Sequence, residues 1–188
     1  MSLFEGHRRS FLLTVGGLGI SQVLSKGLLE GQATIPAEGA GSGFVLGPKQ
    51  GEHLIHFRDR GNIFIKQGAA TGSEHLGMGT QQVMTGTGIP VHRHLKMDEA
   101  FLVLEGSGTV LLNDFPHSFE KGGTISIPHN TWHGFENPDH ELLLLWVVSP
   151  AGLDGFFRET CNRPDAPPKQ LTRDQIKEIA RKYDTEFR

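Results

Sequence analysis

The chain has 188 residues, 18 basic against 21 acidic side chains and a formal net charge of −3, enough for one domain with a sizeable core. Balanced charge with no basic stripe gives no footing for nucleic-acid binding, and the single cysteine, Cys161, excludes an internal disulfide and a cysteine-based zinc cluster. With 25 glycines and 10 prolines the chain turns too often for long bundles or coiled coils, so a turn-rich, all-β protein is expected.

The N-terminal segment His7–Leu13 reads His-Arg-Arg-Ser-Phe-Leu-Leu and resembles a bacterial twin-arginine export signal, with Arg8 and Arg9 as the pair. The weakly apolar stretch that follows, Phe11 to Leu24, is 14 residues long. That is too short for a membrane helix but suits a signal-peptide core. Gly31-Gln32-Ala33 or Ala37-Glu38-Gly39 offers small residues for cleavage. The alternative is an ordinary N-terminal helix with two solvated arginines. Residues 1–40 are therefore expected to be a signal peptide and linker. The mature protein would then be periplasmic or exported through the twin-arginine machinery, with a cytoplasmic location as the alternative. No later run is long enough for a span, so stable membrane insertion is not expected.

From residue 41 onward short apolar stretches recur between Gly, Pro and Asn. Strands are expected at Phe44–Val45, His53–Phe57, Ile63–Lys66, Thr80–Met84, Ala100–Leu104, Thr109–Leu112, Thr124–Ile127, Trp132–Glu136 and Leu142–Val148. This spacing is that of a sandwich or barrel. A short helix is expected over Gly152–Thr160, then a proline-rich break at Arg163–Pro168. A final helix starts at Thr172 with a capping box closed by Gln175. Ile176, Ile179, Ala180, Tyr183 and Phe187 would form its packing face against the barrel.

The chemistry gathers between residues 86 and 137. His92 and His94, two apart in an extended segment, project to one side. Glu99, five residues later across a short turn, can return to that side. Imidazole with carboxylate suits a divalent transition metal, whereas carboxylates alone would suit calcium or magnesium. His133 follows Pro128 and precedes Asn137, where a neighbouring strand could add a further ligand.

These residues resemble the two motifs of the cupin superfamily, in its single-domain (monocupin) form. Gly86, His92, His94, Glu99 and Gly106 stand at every fixed position of the first. Gly122, Pro128, His133 and Asn137 match the second, with Asn130 where the family has glycine. Asparagine tolerates a left-handed backbone better than most residues. The resemblance implies a cupin (double-stranded β-helix, or jelly-roll) barrel over residues 41–150, with a C-terminal helical extension over 151–188. It further implies metal ligation by His92, His94, Glu99 and His133, with two neighbouring coordination positions open for chemistry. The metal would be one divalent transition ion, iron, manganese, nickel or zinc, which folded twin-arginine cargo could take up before export.

If Glu99 points inward, Phe101 and Val103 do too, and Phe135 follows His133. Such a pocket is apolar. Arg93 alternates outward and Lys96 lies in a turn, so a small apolar or aromatic substrate is favoured over a sugar phosphate. Together with the stretch Pro150–Glu159, this resembles quercetin-dioxygenase-like bacterial cupins, which implies an oxygen-using dioxygenase with Glu99 as ligand and base. Oxalate-type decarboxylation or oxidation, isomerisation, and non-catalytic small-molecule binding are the alternatives. Resemblance also implies a homodimer, to which outward Ala100, Leu102 and Leu104 could contribute. His7, His53, His56, His75, His117, His129 and His140 lack ligand spacing and read as surface or loop residues. Cys161 has no partner and no reactive role is expected.

Overall fold

The computed structural model describes residues 43–137 and 139–188. The twin-arginine-type segment and the boundary at residue 40 lie outside the described residues. The chain order is β1 (Glu52–Ile55), β2 (Asn62–Gln67), β3 (Gly77–Val83), β4 (Ile89–His94), β5 (Asp98–Glu105), β6 (Ser107–Leu112), β7 (Phe115–Glu120), β8 (Thr124–Ile127), β9 (His133–Glu136), β10 (Leu142–Ser149), α1 (Leu153–Thr160), α2 (Arg173–Lys182) and β11 (Thr185–Phe187). Among the described residues no helix is long and apolar enough to cross a membrane.

The strands form two antiparallel sheets, ordered β1-β2-β3-β10-β5-β8 and β11-β4-β9-β6-β7. Each strand of the core turns alternate residues inward. In β10 these are Leu142, Leu144, Trp146 and Val148, all at most 1% exposed. Ile63 and Ile65 from β2, Val83 from β3 and Ile127 from β8 complete the apolar layer, each worth roughly 1.5–3 kcal/mol of burial. Trp146 lies over Gly79, where a Cβ would come within 2.4 Å of the indole. Glycine there lets the ring lie flat on its neighbour strand.

Most expected strands are present, with ends shifted by a few residues. Phe44–Val45 forms no strand and Val45 is exposed; two apolar residues after a glycine run cannot by themselves pair. A short 3-10 turn, Ala69–Thr71, precedes the first α-helix. β7 was not expected: it pairs only with β6 and is exposed along almost its whole length, so it lacks the apolar signal of a core strand.

The C-terminal segment departs most from the expected helical extension. Thr172 and Gln175 form the capping box, and Ile176, Ile179 and Tyr183 pack on the core. The helix stops at Lys182, however, and Asp184 adopts φ 59°. The chain then reverses into β11, which pairs with β4 through Thr185↔His94 and Phe187↔His92. Phe187 therefore belongs to a sheet and not to the helix stripe.

Candidate metal centre and ligand cavity

β4 presents His92 and His94 on one face, and β9 places His133 directly opposite His92. Glu99 arrives from β5 in the other sheet, buried in alternation with Phe101 and Val103. One ligand atom from each of these four side chains lies within 4.8 Å of the others. Glu99 Oε2 is 3.4 Å from His94 Nε2 and 3.2 Å from His133 Nε2. Asn130 sits at φ 64° in the turn before His133, the left-handed conformation for which glycine would otherwise be used.

The far side of each ring fixes its tautomer. His92 Nδ1 donates to the Pro90 carbonyl at 2.8 Å and His133 Nδ1 to the Thr131 carbonyl at 2.9 Å. His94 Nδ1 donates to Thr185 Oγ1 at 3.0 Å, and that hydroxyl in turn donates to the Tyr183 carbonyl at 3.1 Å. The three Nε2 atoms are thus lone pairs turned towards the carboxylate. His94 Nε2, His133 Nε2 and Glu99 Oε2 are buried with no hydrogen-bond partner. Acceptors facing one another at this depth repel unless positive charge lies between them. Three imidazole nitrogens and one carboxylate oxygen suit a divalent transition ion, so the residues fit such a metal.

The protonation states agree. Burial opposes ionisation of Glu99; positive charge on the His133 and His94 side, from ring N–H donors or from a cation held between the facing lone pairs, holds the carboxyl below the usual carboxylate range. Burial, reinforced by His133 and His94, holds His92 well below its ordinary value and hence neutral. Carboxylate and neutral imidazole are the forms that ligate metal.

Two supporting residues were invisible in the motif spacing, and both come from the chain's end. Thr185 holds His94, as described. Asp184 accepts the backbone N–H of Lys96 at 2.6 Å and of Met97 at 3.0 Å, pinning the turn that carries the chain from His94 to Glu99. Periodicity placed both residues on a helix, which hid their role.

A cavity of about 360 Å³ opens on His92, His94 and Glu99. Phe57, Phe101, Trp146, Phe156, Phe157 and Phe187 are among the residues of its walls. Val103 and Phe135, expected beside Phe101, are buried in the core but do not line it. Ile176 does line it, so the helix stripe serves the cavity as well as the packing. His56, expected to be a surface or loop residue, is buried on the cavity wall, and burial, helped by Arg58 and opposed by Asp59, lowers its pKa to about 3. Basic side chains are present after all: Arg58, Arg173, Lys177 and Arg188 line the cavity, from segments outside both motifs. Arg93 faces away, paired with Glu186 at 2.6 Å and stacked over Trp132. His53 stacks on Phe64, and exposed His129 bonds Asp98. Cys161 is buried and its thiol is pushed up to about 11 by that burial.

Comparison with known proteins places this geometry in context. Residues 79–149 match the family model described as the cupin domain. The Arabidopsis thaliana protein "Auxin-binding protein 1" is 33% identical over 98 residues, covering 47% of this chain and 49% of that protein. The chain thus spans about half the length of the curated relative it matches. A protein from Planctomyces limnophilus superposes with a TM-score of 0.51 at 21% identity, covering 60% of this chain and 93% of the other. KdgF from Halomonas sp. gives 0.45 at 21% identity, covering 50% of this chain and 82% of the other. The fold is that of the cupins, the double-stranded β-helix.

Proposed function

We propose that this chain binds one divalent transition metal through His92, His94, Glu99 and His133 and presents it to a small apolar or aromatic substrate for oxygen-using, dioxygenase-type chemistry. The observation that carries the reading is the largely apolar cavity of about 360 Å³ lined by His92, His94 and Glu99, where His94 and Glu99 each hold a buried ligand atom with no partner. A metal held there would supply Lewis acidity and, if redox-active, a site for dioxygen beside the substrate. The chain's own residues do the rest. The phenylalanines exclude water and bind the apolar body. Glu99, held as a carboxylate against His94 and His133, is the group within reach to take a substrate proton.

Binding without turnover is the second reading. It is favoured by the shortage of other proton-transfer groups: among the described residues Glu99 is the one carboxylate lining the cavity, and His56 stays neutral far below neutral pH. The relative named for auxin binding supports it as well. The two readings separate when protein loaded with iron, manganese, nickel or zinc is assayed for oxygen uptake on a panel of aromatic enols. Uptake with a redox-active metal, absent with zinc and abolished by Glu99→Gln with metal retained, supports the enzyme. Tight ligand binding with no uptake under any metal supports the binding protein.

Export through the twin-arginine route and pairing of two copies through the outer face bearing Ala100, Leu102 and Leu104 belong to the same proposal. Ala100 is exposed on that face, which leaves it accessible to a second copy.

A further inference from the structure

Five buried polar side-chain atoms lack a hydrogen-bond partner among the described residues, and the metal centre accounts for three of them. The other two are Arg58 Nε and Trp146 Nε1. Both are N–H donors, and both side chains line the cavity that opens on the centre. An orphaned buried donor costs about 1–3 kcal/mol, more when charged. These two atoms are themselves shut off from solvent, so what the cavity can meet is the rest of the Arg58 guanidinium.

Arg58 is the stronger donor. Its side chain is only 20% exposed, and its single side-chain partner among the described residues is Asp59, at 3.4 Å. Asp59 is already occupied. Its Oδ1 accepts Gly61 N, and its Oδ2 accepts Met84 N and Thr87 Oγ1. Most of the guanidinium's five donors are therefore free for a planar oxygen acid. The wider charge pattern agrees: Arg58, Arg173 and Lys177 line the cavity together with Arg188, whose guanidinium pairs with Asp114, and among the described lining residues Glu99 is the single carboxylate.

We propose that the cavity's ligand is an anion, a small apolar or aromatic carboxylate whose acid group is received by the Arg58 guanidinium. This rests on the reading of the cavity as the ligand chamber of the metal centre. The aromatic walls decide against a sugar phosphate, whose hydroxyls would lie unpaired on Phe57, Phe101, Phe156 and Phe157. Arg58 is a specificity residue that selects the acid over a neutral analogue of the same shape.

The test uses the metal-loaded chain in a Trp132→Phe background, which leaves Trp146 as the sole tryptophan and its fluorescence as the reporter. The probes are 3-phenylpropionate, its primary amide, and 2-phenylethyl phosphate. The acid should bind about tenfold or more tighter than the amide, as a hydrogen-bonded charge pair implies. Arg58→Gln should bring the two within about twofold at unchanged metal content. Arg58→Lys, which keeps the charge but not the fork, should restore part of the preference. Metal-stripped wild type should still prefer the acid. If Arg58→Gln does not fold, Arg58→Lys decides the matter: an undiminished wild-type preference there overturns the assignment to Arg58. Equal binding of acid and amide overturns the proposal and leaves the metal reading standing, as does a preference that survives Arg58→Gln or vanishes with the metal. Tighter binding of the phosphate overturns the choice of carboxylate. A protein that takes no metal yet shows the Arg58-dependent preference keeps this proposal and sinks the metalloenzyme reading.

Discussion

Replacing Thr185 with valine removes one oxygen and keeps the side-chain shape. Thr185 is 3% exposed, and its hydroxyl both accepts from His94 Nδ1 at 3.0 Å and donates to the Tyr183 carbonyl at 3.1 Å. In Thr185→Val the His94 N–H is left buried and unpaired, at about 1–3 kcal/mol. The ring also loses what holds its tautomer and its Nε2 direction. Loss of such an outer partner of a ligating histidine typically lowers metal affinity about 10–100-fold, equivalent to about 1.4–2.8 kcal/mol. Competition against a chromophoric chelator measures this directly, with Co(II) spectra reporting whether all ligands remain bound. Thr185→Ser, which keeps the hydroxyl, should recover most of the affinity. Valine and serine variants that bind metal equally well, or wild-type affinity in the valine variant, would refute the argument that this hydroxyl orients His94.

Asp184→Ala removes the acceptor for Lys96 N and Met97 N and places alanine at φ 59°. It should destabilise the fold by about 1–3 kcal/mol in urea titration and weaken metal binding too, because the turn between His94 and Glu99 loosens. His56 gives a pH dependence. Its folded pKa of about 3 lies below the ordinary 6.5, so in that window the unfolded chain takes up a proton that the folded chain refuses. Stability present above pH 6.5 is therefore lost as pH falls towards 3, by up to ~1.4 kcal/mol per pH unit. Thermal or urea unfolding from pH 7 to pH 4 should show a shallower acid limb for His56→Asn than for wild type, and parallel limbs would contradict it. Chelation should lower the melting temperature reversibly, since ligand at 100 times its dissociation constant contributes about 2.7 kcal/mol. An unchanged melt would indicate that nothing bound at the centre.

The cluster of His92, His94, Glu99 and His133 was the most legible part of this chain because it rests on local periodicity. Two histidines two apart on a strand must share a face, and Glu99 needed only a short turn to rejoin them. The buried alternation of Leu142, Leu144, Trp146 and Val148 was equally plain. What stayed hidden came from distant segments. Tyr183 and Phe187 continue the helical spacing of Ile176 and Ile179, and only the left-handed turn at Asp184 breaks it, so spacing alone extends the helix over β11 and hides the roles of Thr185 and Asp184. β7 carries Pro116 and little buried surface, as an edge strand can, and gave no core signal. Arg58 and His56 sit beside ordinary loop residues, and nothing in their spacing shows that the turn after β1 folds onto the cavity.

The central claim is that four side chains from both sheets form a metal site, and metal content per chain tests it most directly. Protein prepared without chelator should carry about one transition-metal ion per chain, and His94→Ala and His133→Ala should carry almost none. Wild-type protein that is empty as prepared and takes up no added iron, manganese, nickel or zinc would contradict the claim.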